Sequence, residues 1–203
     1  MEQISSLALI AASYVFGSVP WGLLLGRVFK GVDVRSHGSG ATGATNALRV
    51  LGWRFSIAVF ALDFAKGLIP VIICRVMGLD GWVVAAVGVA AVVGHCWSPF
   101  IGFKGGKGMA TSGGAAIGMF PFLLVIIGVM AGIVVLTRYV SLASLAAATV
   151  GPLIVLTAAT YGDVPWSWVL ATATMGALIV GKHRGNIERL IAGTERRFGD
   201  RAM

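Results

Sequence analysis

Long apolar runs separated by short polar segments restrict what this chain can fold into. Only 12% of its 203 residues are charged, whereas 57% are hydrophobic. A soluble domain carries charge on about a quarter of its residues, so this chain has too few charged groups to cover a globular surface. The sequence therefore predicts an all-α integral membrane protein, in which lipid replaces water around much of a single domain spanning residues 1–203.

Six apolar runs are candidate membrane-spanning helices, for which about 20 residues are needed. They are Ile4–Phe29, Phe55–Met77, Trp82–Cys96, Met109–Thr137, Val140–Thr160 and Pro165–Val180. The run Met109–Thr137 leaves two alternatives: one tilted helix, or two shorter helices that meet near Phe120–Pro121.

The positions of the charged residues favour two helices. Basic residues occur in Lys30–Arg54, at Lys104 and Lys107, at Arg138, and in the tail from Lys182 onward, whereas two short turns carry Asp80 and Asp163. With a break near Pro121, all four basic regions lie on one side of the bilayer and both acidic turns on the other. Basic loops favour the cytoplasm. The sequence thus predicts seven transmembrane helices, some of them short, with the N-terminus outside and the C-terminus cytoplasmic.

The formal net charge of +8 limits the class of binding partner. A basic protein binds nucleic acid, anionic lipid or acidic substrates. Here the basic residues lie between apolar runs and not along one soluble face. This distribution argues against nucleic acid and favours an anionic ligand at the membrane surface.

The first polar cluster, residues 37–49, combines small residues with hydroxyl, amide and guanidinium groups. Successive backbone N–H groups in such a loop can bind an anion, above all where they begin a helix. Arg49 lies one helical turn beyond Thr45 and could clamp a phosphate with two parallel hydrogen bonds. A flexible linker is the alternative, which Asn46 and Arg49 disfavour. The candidate phosphate-binding residues are Ser39, Gly43, Ala44, Thr45, Asn46 and Arg49.

The second polar cluster, residues 102–112, contains two lysines among four glycines just before a predicted helix. It is not a Walker A motif, because Ile101 stands where the first glycine belongs and Gly108 follows Lys107. Lysines alone would fit a positive-inside membrane anchor, but the glycines would then be unnecessary. The candidate phosphate-binding residues are Lys104, Gly105, Gly106 and Lys107.

The third polar cluster, residues 183–195, follows the last apolar run. His183 is a candidate base, or a candidate hydrogen-bond donor to a phosphate. Asn186 lies one turn further on, on the same helical face. The alternative is an amphipathic helix at the membrane surface, anchored by Arg184 and Arg189. That alternative explains the arginines better than it explains His183 and Asn186.

Other polar residues lie within or between the apolar runs. Asp63 and Lys66 are three residues apart in the second run, where a charge indicates function by default. We favour the alternative, that the two neutralise each other as a structural pair. Ser141, beside Arg138 at a break between two runs, could complete the site, whereas the role of Glu195 stays open.

Taken together, the clusters resemble the PlsY family of bacterial acyl-phosphate:glycerol-3-phosphate acyltransferases. The matching segments are residues 38–49, 103–111 and 183–195, with further similarity at 17–20 and 63–67. The three clusters occur in the family's order, across essentially the whole chain. One departure is Ala41, because the family usually has asparagine at this position.

The resemblance implies transfer of a fatty acyl group from acyl phosphate to the 1-hydroxyl of glycerol 3-phosphate, giving lysophosphatidate and inorganic phosphate in phospholipid synthesis. The expected partners are these two substrates and the lipid bilayer, without metal, cofactor or nucleic acid. We expect a bacterial plasma membrane protein whose active site faces the cytoplasm. His183 and Asn186 would orient the glycerol hydroxyl, and the proton would pass to His183 or to an oxygen of the acyl phosphate.

Two other classes of function remain as alternatives. A transporter or channel for an anionic solute would use broken helices and charges within the membrane, but the sequence contains no internal repeat. A lipid-binding scaffold without activity would not need two lysine- or arginine-bearing glycine loops together with His183 and Asn186.

Overall fold

A computed structural model describes residues 2–200 of the chain, with side chains from residue 6 onward. Within this range the regular structure is entirely helical, in agreement with the predicted all-α fold. The α-helices are α1 (Glu2–Gly17), α2 (Trp21–Lys30), α3 (Ala44–Leu51), α4 (Trp53–Val76), α5 (Gly81–Cys96), α6 (Met109–Met119), α7 (Val125–Thr137), α8 (Val140–Thr160), α9 (Trp166–Lys182) and α10 (Arg184–Ile191).

Four helical segments of the described residues are long and apolar enough to cross a bilayer. They are Ser6–Lys30, Trp53–Val76, Gly81–Ile101 and Val140–Thr160, and Pro121–Thr137 is a shorter apolar helix. These segments follow the predicted apolar runs closely. The number of crossings and their direction stay a prediction.

The first predicted span is interrupted rather than continuous. Helix α1 ends at Gly17 and α2 begins at Trp21, so that Ser18, Val19 and Pro20 lie between them. Proline has no backbone N–H and its ring clashes with the preceding helical turn, which accounts for the break. The break frees the carbonyl of Val19 to accept a hydrogen bond from the Lys66 ammonium at 2.9 Å.

The predicted break near Phe120–Pro121 is confirmed. Helix α6 ends at Met119, and a 3-10 turn begins at Pro121 before α7. Helix α7 then packs against α8, and Met109 of α6 and Met130 of α7 line one cavity. With 11 and 13 residues, each helix is shorter than the roughly 30 Å of a bilayer core.

Glycines allow α4 and α6 to pack with their backbones close together. A Cβ on Gly67 would collide with the carbonyl of Thr111, and one on Gly114 would collide with the carbonyl of Phe64. The glycines of α7 differ from these, since a Cβ at Gly128 or Gly132 would meet nothing within 4 Å.

Helix α5 lies at the centre of the bundle, in contact with α1, α4, α6 and α9. Small and β-branched residues let its neighbours approach from several sides, and Val87, Ala91 and Val92 are fully buried. The helix ends at Cys96, next to the second polar cluster. This end of the bundle is where the polar clusters meet.

Candidate active site

A polar cavity of about 370 Å³ lies at the end of the bundle where α3, α6, α8 and α10 begin. Of the residues predicted from the sequence, its wall contains Ser39, Gly43, Ala44, Thr45, Asn46, Arg49, Asp63, Lys107, Ser141, His183, Asn186 and Glu195. The structure therefore brings together residues from all three polar clusters, which are far apart in the sequence.

Asn46 organises the first cluster from within. Its Nδ2 donates to the carbonyls of Val34 at 2.8 Å and Ala41 at 2.9 Å, and it also approaches the carbonyl of His37 at 3.2 Å. Its Oδ1 accepts from the N–H of Ser39 at 2.9 Å. Because the loop itself uses these groups, Asn46 shapes this loop and is not a free donor to a ligand.

The start of α3 provides free donors to the cavity. The backbone N–H groups of Ala44 and Thr45 lie in the first turn of the helix and have no carbonyl partner among the described residues. A Cβ on Gly43 would meet nothing within 4 Å, so there is open space in front of the loop. Arg49 lies one turn along the same helix and also lines the cavity. Unpaired N–H groups at a helix start attract anions.

A chain of hydrogen bonds connects the second cluster to the third. Lys107 Nζ donates to Asn186 Oδ1 at 2.5 Å, and Asn186 Nδ2 donates to Glu195 Oε1 at 2.6 Å. The other carboxylate oxygen of Glu195 accepts from Arg189 Nε at 2.8 Å. Asn186 thus orients the Lys107 ammonium, and Glu195 in turn orients Asn186.

Burial and neighbouring charges change the protonation of two of these groups. Burial lowers the pKa of Lys107 to about 8; Glu195 raises this pKa, whereas Arg189 and Arg49 lower it further. Burial opposes ionisation of Glu195, but hydrogen bonds from Asn186 and Arg189 and the positive charge of Arg189 outweigh it and hold the pKa below its usual value. A phosphate beside Lys107 would raise the pKa of the ammonium again.

Four cationic side chains face two carboxylates in the cavity wall. They are Arg49, Lys107, Arg189 and Arg196, with Asp63 and Glu195. Burial lowers the pKa of Arg49, and the positive charges of Arg196 and Arg189 lower it as well. The cations therefore repel one another, and an anion bound between them would relieve this repulsion.

His183 presents an unprotonated ring nitrogen to the site. Its Nδ1 lies 2.8 Å from the carbonyl of Ile179, which can only accept, so Nδ1 carries the hydrogen. Burial lowers the pKa of His183 to about 4, and the ring is neutral near pH 7. Its Nε2 can therefore accept a hydrogen bond from a hydroxyl.

Three residues of the second cluster lie outside the cavity wall. Lys104 is exposed to solvent. The N–H groups of Gly105 and Gly106 donate to the carbonyls of Cys96 at 3.2 Å and His95 at 3.0 Å, so they are not available to a phosphate. A Cβ on Gly105 would collide with the carbonyl of His95, and a Cβ on Gly106 would collide with its ring. These glycines let the loop pack against the end of α5.

Asp63 and Lys66 form a buried ion pair. A third residue, His95, lies beside them, and sequence reasoning missed it. Lys66 Nζ lies 2.7 Å from Asp63 Oδ1 and 3.0 Å from His95 Nδ1. Asp63 and His95 line the cavity, whereas Lys66 lies behind it. A titratable residue in an otherwise apolar helix was the signal that could have revealed His95.

Ser141 and its neighbour Ser144 complete the wall from α8. The Ser144 hydroxyl donates to the carbonyl of Val140 at 2.9 Å. The Ser141 Oγ is buried without a partner at hydrogen-bond distance, so it is available to a ligand. Within residues 2–200, no three His, Cys, Asp or Glu side chains come together as metal ligands would. The expected independence from metal stays a prediction.

An almost wholly apolar cavity adjoins the polar one. Phe60, Met109, Ala110 and Met130 contribute to the walls of both cavities. The apolar cavity continues between α6, α7, α8 and α9. A ligand with a charged head and a long apolar tail could therefore occupy both cavities at once.

Together these features define an integral membrane protein with a cavity rich in cationic groups at the end of its helix bundle. The family model for glycerol-3-phosphate acyltransferase matches residues 7–193. The glycerol-3-phosphate acyltransferase of Geobacter sulfurreducens is 46% identical over 200 residues, covering 97% of this chain and 99% of that protein. The Aquifex aeolicus protein of the same name is 42% identical over 202 residues, 96% of this chain and 100% of that one.

A solved structure is also similar. The crystal structure of PlsY (YgiH), an integral membrane glycerol 3-phosphate acyltransferase in its glycerol 3-phosphate form, has a TM-score of 0.90 to this chain at 42% identity, with 96% of each chain covered. Its lysophosphatidic acid form has a TM-score of 0.88. This chain belongs to the glycerol-3-phosphate acyltransferase family, as the resemblance predicted.

Proposed function

We propose that this protein transfers an acyl group from an acyl phosphate to the 1-hydroxyl of glycerol 3-phosphate. The hydroxyl oxygen forms the new ester bond to the acyl carbon, and the bond between that carbon and the phosphate oxygen breaks. The hydroxyl proton leaves with the phosphate, so the products are 1-acylglycerol 3-phosphate and inorganic phosphate. The observation that carries the proposal is the cationic cavity that opens into an apolar one.

Two phosphate groups fit the charges and donors of the polar cavity. One set of donors lies on α3, where the N–H groups of Ala44 and Thr45 and the guanidinium of Arg49 converge. The other centres on the Lys107 ammonium, with Arg189 nearby. Both substrates of the proposed reaction carry one phosphate.

The names of the relatives support glycerol 3-phosphate as the acceptor. The solved PlsY structures are described as glycerol 3-phosphate and lysophosphatidic acid forms, which are the acceptor and the product of the proposed reaction. At 42% identity over 96% of the chain, we carry this substrate over to the present protein.

His183 has the properties needed to orient the acceptor hydroxyl. Its neutral Nε2 accepts the hydroxyl hydrogen bond, which directs an oxygen lone pair at the acyl carbon. Because the pKa of His183 is lowered to about 4, we assign the proton to the departing phosphate and not to the ring. Positioning of this kind can supply most of the acceleration when the leaving group is already good.

The acyl phosphate donor is supported by the adjoining apolar cavity and by the chemistry of a mixed anhydride. A fatty acyl chain would occupy the apolar cavity, so that its activated carbon lies at the shared wall near Met109 and Ala110. Phosphate is a good leaving group, so the reaction needs no enzyme nucleophile. Both cysteines, Cys74 and Cys96, are buried, in agreement with this scheme.

The basic regions support a bacterial plasma membrane protein whose polar cavity faces the cytoplasm. Lys104 lies at the predicted cytoplasmic side and Asp163 at the opposite side, and both are exposed. In intact cells, an impermeant thiol reagent should label Asp163→Cys and not Lys104→Cys. Labelling of Lys104→Cys alone would contradict this orientation.

A comparison of acyl donors tests the proposed reaction. Purified protein in detergent is given labelled glycerol 3-phosphate with either palmitoyl phosphate or palmitoyl coenzyme A. We expect labelled 1-acylglycerol 3-phosphate only with palmitoyl phosphate. Product with coenzyme A alone would refute the proposed donor, and no product with either donor would refute the proposed acyl transfer.

We expect the alkaline limb of the pH profile to follow Lys107. The ammonium binds phosphate only when protonated, and its pKa is about 8. The kcat/KM for at least one substrate should therefore fall about tenfold per pH unit above this pKa, because kcat/KM reports groups of the free enzyme. Lys107→Arg should remove this limb, since arginine stays charged. An unchanged limb in the variant would contradict the assignment. Reactions without enzyme correct for spontaneous hydrolysis.

A further inference from the structure

The segment after α10, residues 194–198, connects α10 to the turn between α7 and α8. At its first end the N–H of Thr194 donates to the carbonyl of Arg189 at 2.8 Å. At its other end the N–H of Phe198 donates to the carbonyl of Arg138 at 2.6 Å. The side chain of Arg138 completes a reciprocal pair, because its Nη2 donates to the carbonyl of Phe198 at 2.8 Å. The segment is thus held at both ends.

Arg138 adopts a backbone conformation that favours glycine. Its φ is +61°, in the left-handed region, and its N–H donates to the carbonyl of Val134 at 2.8 Å at the end of α7. Residues other than glycine rarely adopt this conformation. Its neighbour Tyr139 provides a second contact to the segment, since the guanidinium of Arg197 lies 5.7 Å from the centre of the Tyr139 ring.

Glu195 is the residue that this segment carries into the cavity. Its side chain is only 6% exposed, although it lies beyond the end of the last helix. It accepts the hydrogen bonds from Asn186 and Arg189, and Asn186 in turn accepts from Lys107. The position of the segment therefore determines the direction of the Lys107 ammonium.

We infer that Arg138 is a positioning residue: by holding Phe198 it fixes residues 194–198, and through Glu195 and Asn186 it keeps Lys107 directed at the substrate phosphate. Arg138 itself is not among the residues that line the polar cavity. The inference rests on the proposed function only for its kinetic measurement, because the docking of the segment can be measured without any substrate.

The Arg138→Gly variant distinguishes the contribution of the Arg138 side chain from that of its backbone. Glycine keeps the left-handed conformation and the carbonyl that accepts from Phe198, so that only the guanidinium contact is lost. We expect KM for the substrate whose phosphate Lys107 binds to rise about tenfold, as for loss of one charge-assisted hydrogen bond, with kcat changing less. A loss of folded protein would instead lower kcat and leave KM unchanged. Arg184→Ala, which removes an exposed guanidinium of α10, is the matched control and should leave both unchanged.

A double-mutant cycle tests whether Arg138 acts through Glu195. In a Glu195→Ala background, Arg138→Gly should raise KM no further, because the connection is already broken. Additive effects, or no effect of Arg138→Gly alone, would overturn the inference. Deletion of residues 197–203 removes the docking contact and leaves α1 to α10 in place, and should raise KM as Arg138→Gly does; an unchanged KM would also overturn it.

Amide hydrogen exchange measures the docking independently of activity. The Phe198 N–H should be protected in the wild type and exchange faster in Arg138→Gly, while amides within α10 keep their protection. If the wild type makes no acylated product but shows this pattern, the proposed function fails and the docking by Arg138 stands. If Phe198 exchanges equally fast in both proteins, the inference fails whatever the activity.

Discussion

Replacing His183 with alanine should lower kcat by about 10²–10³-fold, within the range for a lost acid–base or orienting group. The variant lacks the Nε2 that aligns the acceptor hydroxyl, whereas both phosphate-binding sets of donors remain. KM for glycerol 3-phosphate should therefore change much less than kcat. Initial rates with palmitoyl phosphate in detergent, on protein shown to be folded by thermal unfolding, measure this effect.

His37 provides the matched control for this substitution. Its side chain is exposed and bonds only to Ser36 and the backbone of Asp33, so His37→Ala should keep wild-type rates. If His183→Ala stays within a few-fold of the wild type, the orienting role of His183 is excluded. If both variants lose activity alike, the loss reflects the protein as a whole and not this site.

Replacing Lys66 with methionine should destabilise the protein more than any other change of a single charge considered above. Lys66 is 1% exposed and is the partner of Asp63 at 2.7 Å. Its removal leaves the buried carboxylate without a permanent counter-charge, because His95 Nδ1 at 3.6 Å is charged only if protonated. Breaking a buried pair in this way costs about 3–5 kcal/mol, and the hydrogen bond to Val19 is lost as well. We expect little folded protein, or a strongly lowered unfolding temperature in detergent.

Two further variants make this prediction specific. Asp63→Asn combined with Lys66→Met removes both charges and should recover part of the lost stability, since no unpaired charge remains. Lys104→Met removes an exposed lysine and should leave the unfolding temperature unchanged. Equal unfolding temperatures for Lys66→Met and the wild type would show that the pair has no structural role.

Much of the fold follows from the sequence, because a lipid environment requires backbone hydrogen bonds within each segment. Apolar runs therefore gave the helices to within a few residues, as for α8, which matches Val140–Thr160. The placement of charges also predicted the break near Pro121. The break at Pro20 was missed, since the apolar run continues through it and proline is tolerated in some membrane helices.

The convergence of the three clusters was also predictable, because charge placement put them on one side of the bilayer. The roles of individual residues were harder to predict from the sequence. Asn46 was expected to bind a ligand, but its amide holds the loop together. Gly105 and Gly106 were expected to bind phosphate, but they pack against His95. Such roles depend on contacts with distant segments, which local spacing does not encode.

The central claim is that one cavity aligns two phosphate-bearing substrates for direct acyl transfer. The measurement that tests it most directly is the ratio of inorganic phosphate released to 1-acylglycerol 3-phosphate formed, by purified protein with palmitoyl phosphate, with and without glycerol 3-phosphate. The account predicts equal amounts of both products, and phosphate release that depends on glycerol 3-phosphate. Phosphate released at the same rate without glycerol 3-phosphate, or without acylated product, would contradict it.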